Sequence, residues 1–459
     1  MAAHHALIST LADIVGSSHV LVDDDVRAGY EVDWTGRWGG AALAVVRPGS
    51  TSEVSAVVTA CRSAGAPVVP QGGNTGLVGG SVPAGGEVVL SLRRLDAIGP
   101  VDPLSGQVTA GAGTVLADLQ RAVSDSGREL AVDLAARGSA TVGGLVATNA
   151  GGLRVLRHGT MRAQVVGLEA VLADGSVVSR LGGLAKDATG YDLSSLLVGS
   201  EGTLGVVTAA RLRLVRRRPH RVAALLSLAS VDDALAVAAE LRDRLDSLDV
   251  AELVAGATLA FVGAAQGLAS PFAAPPRAAL LVECGRSDTA PVEELAEAVL
   301  ACGGRVLDTA VSTGDTDRAR LWRHREEITE ALQAAGPPRK LDVSLPLVEL
   351  AGFADEVVRV VERGWPGSTC HLFGHLLDGN LHVNVLGVGG SDGPAVDEAV
   401  LGLVAAAGGS IGAEHGIGRA KVPWLHLSRS QAELAAFRMV KAALDPTGTL
   451  NPGVLLPVR

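Results

Sequence analysis

Aromatic side chains are scarce, with five Trp, five Phe and two Tyr among 459 residues. A chain of this length has room for roughly three structural units of about 150 residues and for a large core. That core must therefore be built mainly from Ala, Val and Leu. Cationic charge is also short: 39 Lys and Arg face 49 Asp and Glu, a net charge of -10. Such a balance opposes the phosphate neutralisation behind non-specific nucleic-acid binding, and no nucleic-acid role is expected. The cysteines Cys61, Cys284, Cys302 and Cys370 are scattered with no CxxC, so neither a disulfide framework nor a thiolate zinc knot is indicated, and a reducing cytoplasm fits best. No run of roughly 18 apolar residues is free of charge. The stretch from Met1 to Asp13 lacks a cationic start, a long apolar block and a small-residue cleavage site, so a soluble cytoplasmic protein is expected.

What the chain does have is apolar content, 47% against 19% charged, which excludes a disordered polymer. It also has 58 glycines, which suit tight turns and close backbone approach. From Ser50 the pattern alternates between helix and strand. Ser50 and Glu53 form a capping-box signature, Val54, Val57, Val58 and Cys61 recur at helical spacing, and Gly65 ends the helix. Strands are predicted at Pro67–Val69, Val88–Leu92 and Val165–Leu172, the last closed by the Asp174–Gly175 turn signal, with an amphipathic helix over Val115–Ser124. Three small-residue loops punctuate this region: Pro70–Pro83, Arg137–Gly152 and Gly199–Gly205. Backbone N–H groups in such loops form concave donor surfaces, so together they imply one extended ligand with phosphates. The first loop has neither Walker nor GxGxxG spacing. Arg213, Arg216, Arg217 and Arg218 with Pro219 mark a change of character, and the arginines read as a solvated strand end.

The loop Pro70–Pro83, the segment Thr141–Gly152, the run Asp187-Ala-Thr-Gly-Tyr-Asp192 and the loop Gly199–Gly205 resemble the FAD-binding segments of the vanillyl-alcohol-oxidase-type flavoproteins. Within them the chain is most similar to the branch of D-2-hydroxyglutarate and D-lactate dehydrogenases, over about Val46 to Pro457. The resemblance implies an α+β fold: a bipartite FAD-binding domain of two α/β subdomains (1–218), a substrate-binding cap domain with an antiparallel sheet (219–410), and a C-terminal segment that returns to complete the active site (411–459). It implies that Gln71, Gly72, Gly73, Asn74, Thr75, Gly76 and Ser81 wrap the FAD pyrophosphate, and that Ser139, Thr141, Gly144, Asn149, Glu201, Gly202 and Val207 line the cofactor. The superfamily's histidine attachment uses a His in the first glycine loop, which this chain lacks, so non-covalent FAD is expected. The chain departs from the pattern at His158, where relatives commonly carry Tyr, at Leu377, where many have Gly, and at Val454, where Lys often follows Asn-Pro-Gly.

Four of the eleven histidines, His371, His375, His382 and His415, lie between positions 371 and 415. Asp378–Gly379 is the preferred dipeptide of a two-residue hairpin turn, which would put His375 directly across from His382 with Cβ atoms about 4.5–5.5 Å apart. From there two imidazoles can converge on one metal. Alternation puts Asn384 on the face of His382, with Leu381, Val383 and Val385 on the other. Glu414 and His415 each offer a third ligand; an N/O set with one carboxylate suits Zn²⁺, with Mn²⁺ or Fe²⁺ allowed by ligand type. The resemblance, through Gly-His-x-x-Asp-Gly-Asn-Leu-His and a later Glu-His pair, implies that His375, His382 and Glu414 hold the metal and that His415 is the base.

By composition Arg325, Thr329 and Lys340 read as surface residues, with Arg325 and Thr329 four apart on one face of a helix over 321–329. The resemblance assigns Arg325, Thr329 and Lys340 to the substrate carboxylates, assisted by Asn384. It thus implies FAD-dependent, metal-assisted oxidation of a D-2-hydroxy acid, with D-2-hydroxyglutarate favoured because a second cation suits a dicarboxylate. Electrons would pass to an electron-transfer flavoprotein, a quinone or a cytochrome, and a homodimer is compatible. The alternatives are a D-lactate or glycolate dehydrogenase, an oxidase on the same fold, and a non-catalytic FAD-binding scaffold subunit.

Overall fold

The structure, a computed structural model, describes residues 2–458, and the chain divides into two units. The first comprises the chain through Gly152, His158–Arg216 and the chain from Glu414 on; the second comprises Leu153–Arg157 and Arg217–Ala413. Among the described residues no helix is long and apolar enough to cross a membrane.

The first unit holds a two-stranded sheet, Val215–Arg216 with Arg128–Glu129, and two four-stranded ones. In one, the Val-rich strands Ala44–Val46, Val88–Ser91 and Val68–Gln71 are parallel neighbours, with Val20–Leu21 antiparallel at the edge. Strands covered on both faces read as continuous apolar runs, as these do. The intervening helix Thr51–Ser63 begins where Ser50 Oγ accepts the Glu53 N–H at 3.2 Å, and it buries Val54, Val57, Val58 and Cys61 as its periodicity requires. The second sheet is antiparallel, in the order Gln107–Gly111, Val206–Arg213, Val165–Val171, Val177–Ser179. The Asp174–Gly175 turn joins its last two strands, with Gly175 at φ +86°. Helices Leu116–Val123 and Val142–Thr148 close the core around Leu116, Leu119, Val142 and Val146. The closing segment returns to the first sheet: after the fully boxed helix Gln431–Leu444, Leu450 bridges Val68 and the Asn451 N–H donates to Val68 O at 2.8 Å.

The second unit is a seven-stranded antiparallel sheet in the order Val306–Val311, His220–Leu228, Ala278–Arg286, Leu248–Ala255, Thr369–His375, Asn380–Leu386, Arg339–Ser344. One face packs against helices Gly256–Gln266, Asp315–Glu326 and Ile328–Ala335 through Leu225, Val254, Leu281, Trp322, Ile328 and Leu332. Arg218 is not the solvated strand end expected from the arginine cluster: it lies 3.4 Å from the buried carboxylate of Asp249, which also pairs with Arg157 at 2.7 Å. Burial pushes the Asp249 carboxyl upward, opposed by the charges of Arg157 and Arg218 and then of Arg221 and Arg154.

Candidate active site: a glycine cradle and a histidine face

In the first unit the loops meet as main chain. A Cβ on Gly73 would fall 1.9 Å from Ser139 O, and one on Gly72 would fall 2.2 Å from Thr141 Oγ1. Only glycine permits this approach between the first and second loops. The third loop is tied to the second by the Gly199 N–H to Val146 O (3.0 Å) and the Glu201 N–H to Ala147 O (2.8 Å). Gln71 is buried and donates to Tyr30 O and Ser81 O, both at 2.8 Å, while Ser81 Oγ donates to Asn74 Oδ1 at 3.0 Å. These side chains thus brace the loop. Asn74, Asn149 and Glu201 adopt left-handed φ of +53°, +51° and +51°, strained for side-chain-bearing residues and kept where a site fixes them. Gly144 lies in the short helix Val142–Thr148 and Gly202, at φ +70°, in the third loop. Val207 is packed into the hydrophobic core. Inside this cradle Thr141 Oγ1 is buried with no hydrogen-bond partner. A polar atom orphaned beside two obligatory glycines fits a polar cofactor laid along the loops.

The buried carboxylate of Glu201 accepts the Ile417 and Gly418 N–H groups, each at 2.8 Å. Burial pushes its carboxyl up, opposed by those two N–H groups and by the charge of Lys421. Asn451 Nδ2 donates to Gly80 O and Glu201 O, at 2.8 and 2.7 Å. Glu414 Oε1 accepts the Gly152 N–H at 2.7 Å. The short run holding Glu414 and His415 is therefore anchored to the glycine loops at both ends.

In the second unit the hairpin carrying two of the histidines differs from the predicted one. Asp378–Gly379 does not form a two-residue turn: Leu376–Asp378 is a 3₁₀ turn, Gly379 sits at φ +75°, and four residues connect the strands. Register follows loop length, so His382 faces Phe373 rather than His375. The slip is two residues, which keeps both imidazoles on one face as diagonal neighbours. Their ring centroids are 5.6 Å apart at 79°. On the outer neighbouring strands each histidine meets a buried acid: Glu252 pairs in register with His375 and is hydrogen-bonded to its Nδ1, and Asp342 pairs with His382, its Oδ1 3.2 Å from that Nδ1. Although burial opposes it, the charges of His375 and Arg325 bring the Glu252 carboxyl down to about 2. A carboxylate behind Nδ1 fixes the tautomer that presents Nε2 to a metal. The donor chemistry here thus suits a divalent ion.

The structure distributes the four candidate substrate residues unevenly. Lys340 and Asn384 are register partners on the histidine face, with His371 on the other side of Asn384. Arg325 is inward, its guanidinium 4.5 Å above the Phe373 ring and its Nε 2.6 Å from Glu252. The expectation that Arg325 and Thr329 share a helix face is not met. A break at Glu327 puts them in the separate helices Asp315–Glu326 and Ile328–Ala335, where Ile328 and Leu332 take the buried positions and Thr329 is exposed. Glu252 and Asp342 were not singled out by the sequence reading. The signal was available for Asp342, an acid two residues from Lys340 in a strand pattern, but no motif marks Glu252.

Residues 42–180 match the family model described as FAD binding domain, and residues 217–455 match FAD linked oxidases, C-terminal domain. The chain is 40% identical over 435 residues to the D-2-hydroxyglutarate dehydrogenase of Xanthomonas citri pv. viticola, covering 93% of this chain and 92% of that protein. It is 35% identical to the D-2-hydroxyglutarate dehydrogenase of Stutzerimonas stutzeri, covering 98% of each. In fold it resembles 4-ethylphenol oxidase from Gulosibacter chungangensis, with a TM-score of 0.77 at 20% identity over 99% of this chain and 98% of that one. It also resembles p-cresol methylhydroxylase, with a TM-score of 0.77 at 16% identity over 99% and 96%.

Proposed function

Because this chain belongs to the FAD-dependent D-2-hydroxyacid dehydrogenases of the vanillyl-alcohol-oxidase type, we propose that it oxidises D-2-hydroxyglutarate to the 2-oxo acid with the help of a divalent metal. The observation that carries the metal-assisted reading is the pair of histidines, His375 buried and His382 half-buried, each backed by a carboxylate, on one sheet face. The glycine loops would hold FAD, which would supply the hydride acceptor. His375, His382 and Glu414 would hold the ion, whose chemistry there would be to lower the pKa of the substrate hydroxyl.

His415 takes the hydroxyl proton on its imidazole, next in sequence to the ligand Glu414. Chain reach supports Glu414 as third ligand. Ser410 is pinned to Ser344, two residues beyond Asp342, by hydrogen bonds of 2.8 and 3.0 Å. The four residues from Ser410 to Glu414 span at most about 14 Å. Lys340, two residues along its strand from Asp342, binds a substrate carboxylate about 7 Å along the face, a separation that suits a dicarboxylate better than lactate, and its register partner Asn384 assists near the metal. Arg325 and Thr329 add to carboxylate binding from the helical layer. An electron-transfer flavoprotein, a quinone or a cytochrome would be the electron acceptor.

The test is anaerobic mixing with D-2-hydroxyglutarate, D-malate and D-lactate while flavin absorbance is followed, with and without a chelator. Rapid bleaching by D-2-hydroxyglutarate, abolished when the chelator strips the ion and restored by Zn²⁺, is expected. A large preference for lactate, or bleaching indifferent to metal, would overturn the reading.

A further inference from the structure

We infer that Glu252 and Asp342 are positioning residues that fix His375 and His382 as ligands, and that Arg325 acts on the metal site through Glu252 rather than solely on substrate. The inference rests on the proposed role of the two histidines. The hairpin bearing them is flanked on both sides, Leu248–Ala255 on one and Arg339–Ser344 on the other, and in each flank the residue in register with, or beside, a histidine is an acid only 1% exposed. Burying a carboxylate is costly unless its oxygens are met. Glu252 meets His375 Nδ1 with one oxygen and Arg325 Nε, at 2.6 Å, with the other. Asp342 Oδ1 lies 3.2 Å from His382 Nδ1 and accepts Asn380 Nδ2 at 2.8 Å.

Both acids thus approach the ring nitrogen that must not bind the metal, from opposite sides of the hairpin. Arg325 is clamped between Glu252 and the Phe373 ring, and its side chain is 12% exposed. A guanidinium held in this way controls where the Glu252 carboxylate lies, and through it the rotation of His375. Nothing about a substrate clamp requires that contact, whereas a ligand-orienting relay does.

The experiment uses the full-length flavoprotein, stripped of metal and titrated with Zn²⁺ against a chromophoric chelator, with Co²⁺ absorption as a spectroscopic readout. E252Q and D342N are each expected to weaken Zn²⁺ binding by about 10- to 100-fold and to alter the Co²⁺ spectrum, with FAD content unchanged. R325Q is expected to weaken Zn²⁺ binding as well, and the double variant E252Q/R325Q to bind no more weakly than E252Q alone. If E252Q does not fold, R325Q reads the same relay from the helix, and D342N reads the other flank. Wild-type Zn²⁺ affinity in R325Q with only a raised KM would overturn the relay, as would additive losses in the double variant. A wild-type protein that takes up no divalent ion would overturn the metal reading and the inference together, whereas variants that bind like a metal-loaded wild type would overturn the inference alone.

Discussion

In the unit that carries the glycine loops, the candidate site is made of main chain: Gly72 and Gly73 bring the backbone within a side chain's width of Ser139 and Thr141, and the polar side chains Gln71, Asn74 and Ser81 brace the loop from behind. In the unit that carries the histidines, the candidate site is made of side chains projecting from a rigid sheet, each backed by a charged partner from a neighbouring strand. The difference matches the ligands proposed for the two sites. An extended cofactor with phosphates is held by many N–H groups, which every residue owns, while a small hydroxy acid and an ion need particular donor atoms at particular points. The first kind of site tolerates changes in side-chain identity and fails when a Cβ is added; the second should do the reverse.

The largest expected effect comes from the proposed base, a side chain of the first unit on the run anchored to the glycine loops. His415→Ala should lower the rate of substrate-driven flavin reduction by about 10²–10⁴-fold while FAD content stays at the wild-type level, measured by stopped-flow absorbance; unchanged reduction would remove His415 from the mechanism. Gly73→Ala tests the main-chain site. The new Cβ overlaps Ser139 O, so FAD occupancy should fall with a stability loss of about 1–3 kcal/mol. Gly138→Ala, whose Cβ has nothing within 4 Å, should behave like wild type, and equal losses in both would break the contrast. Asn451→Ala removes two donors that join the first and third loops. A loss of about 1 kcal/mol, seen in thermal melting with a parallel decline in FAD affinity, is expected; a decline of neither would show that the loops are held without it.

The smallest effect separates a carboxylate-backed histidine from a bare one. His324 is buried in the second unit with Nδ1 unpartnered, and burial, then the charge of Arg323, lowers its pKa from 6.5. The folded imidazole therefore stays neutral where the unfolded one protonates, so stability is full above pH 6.5 and is lost as pH falls below it. His324→Leu should flatten that loss, by at most about 1.4 kcal/mol per pH unit. Melting curves at pH 7.5 and 5.5 that differ as much in the variant as in the wild type would assign the loss elsewhere.

Much of the glycine cradle was legible in the sequence, because glycine density and turn residues report local backbone conformation. The helix Thr51–Ser63 and the Asp174–Gly175 turn were legible for the same reason. The histidine face was legible only in part. Its residues could be named, but the turn at Asp378–Gly379 was read two residues too tight, since the 3₁₀ turn at Leu376–Asp378 is set by packing: Leu376 and Leu377 are both buried. Arg325 read as a surface charge by composition because nothing near it in sequence offers a carboxylate in the interior; Glu252 is 73 residues away.

The amino-acid order by itself determined the helix Thr51–Ser63 and the Val-rich strands of the first unit, the Asp174–Gly175 turn, and the family the chain belongs to, because these depend on residues within a turn or two of each other or on long shared motifs. Tertiary structure alone decided which acid stands behind which imidazole, that Arg325 faces inward and Thr329 outward, and that Glu201 anchors the run beyond His415. Those outcomes depend on strand register and on burial. A charge far along the chain becomes a partner only when the sheet and its helices have removed the water between them.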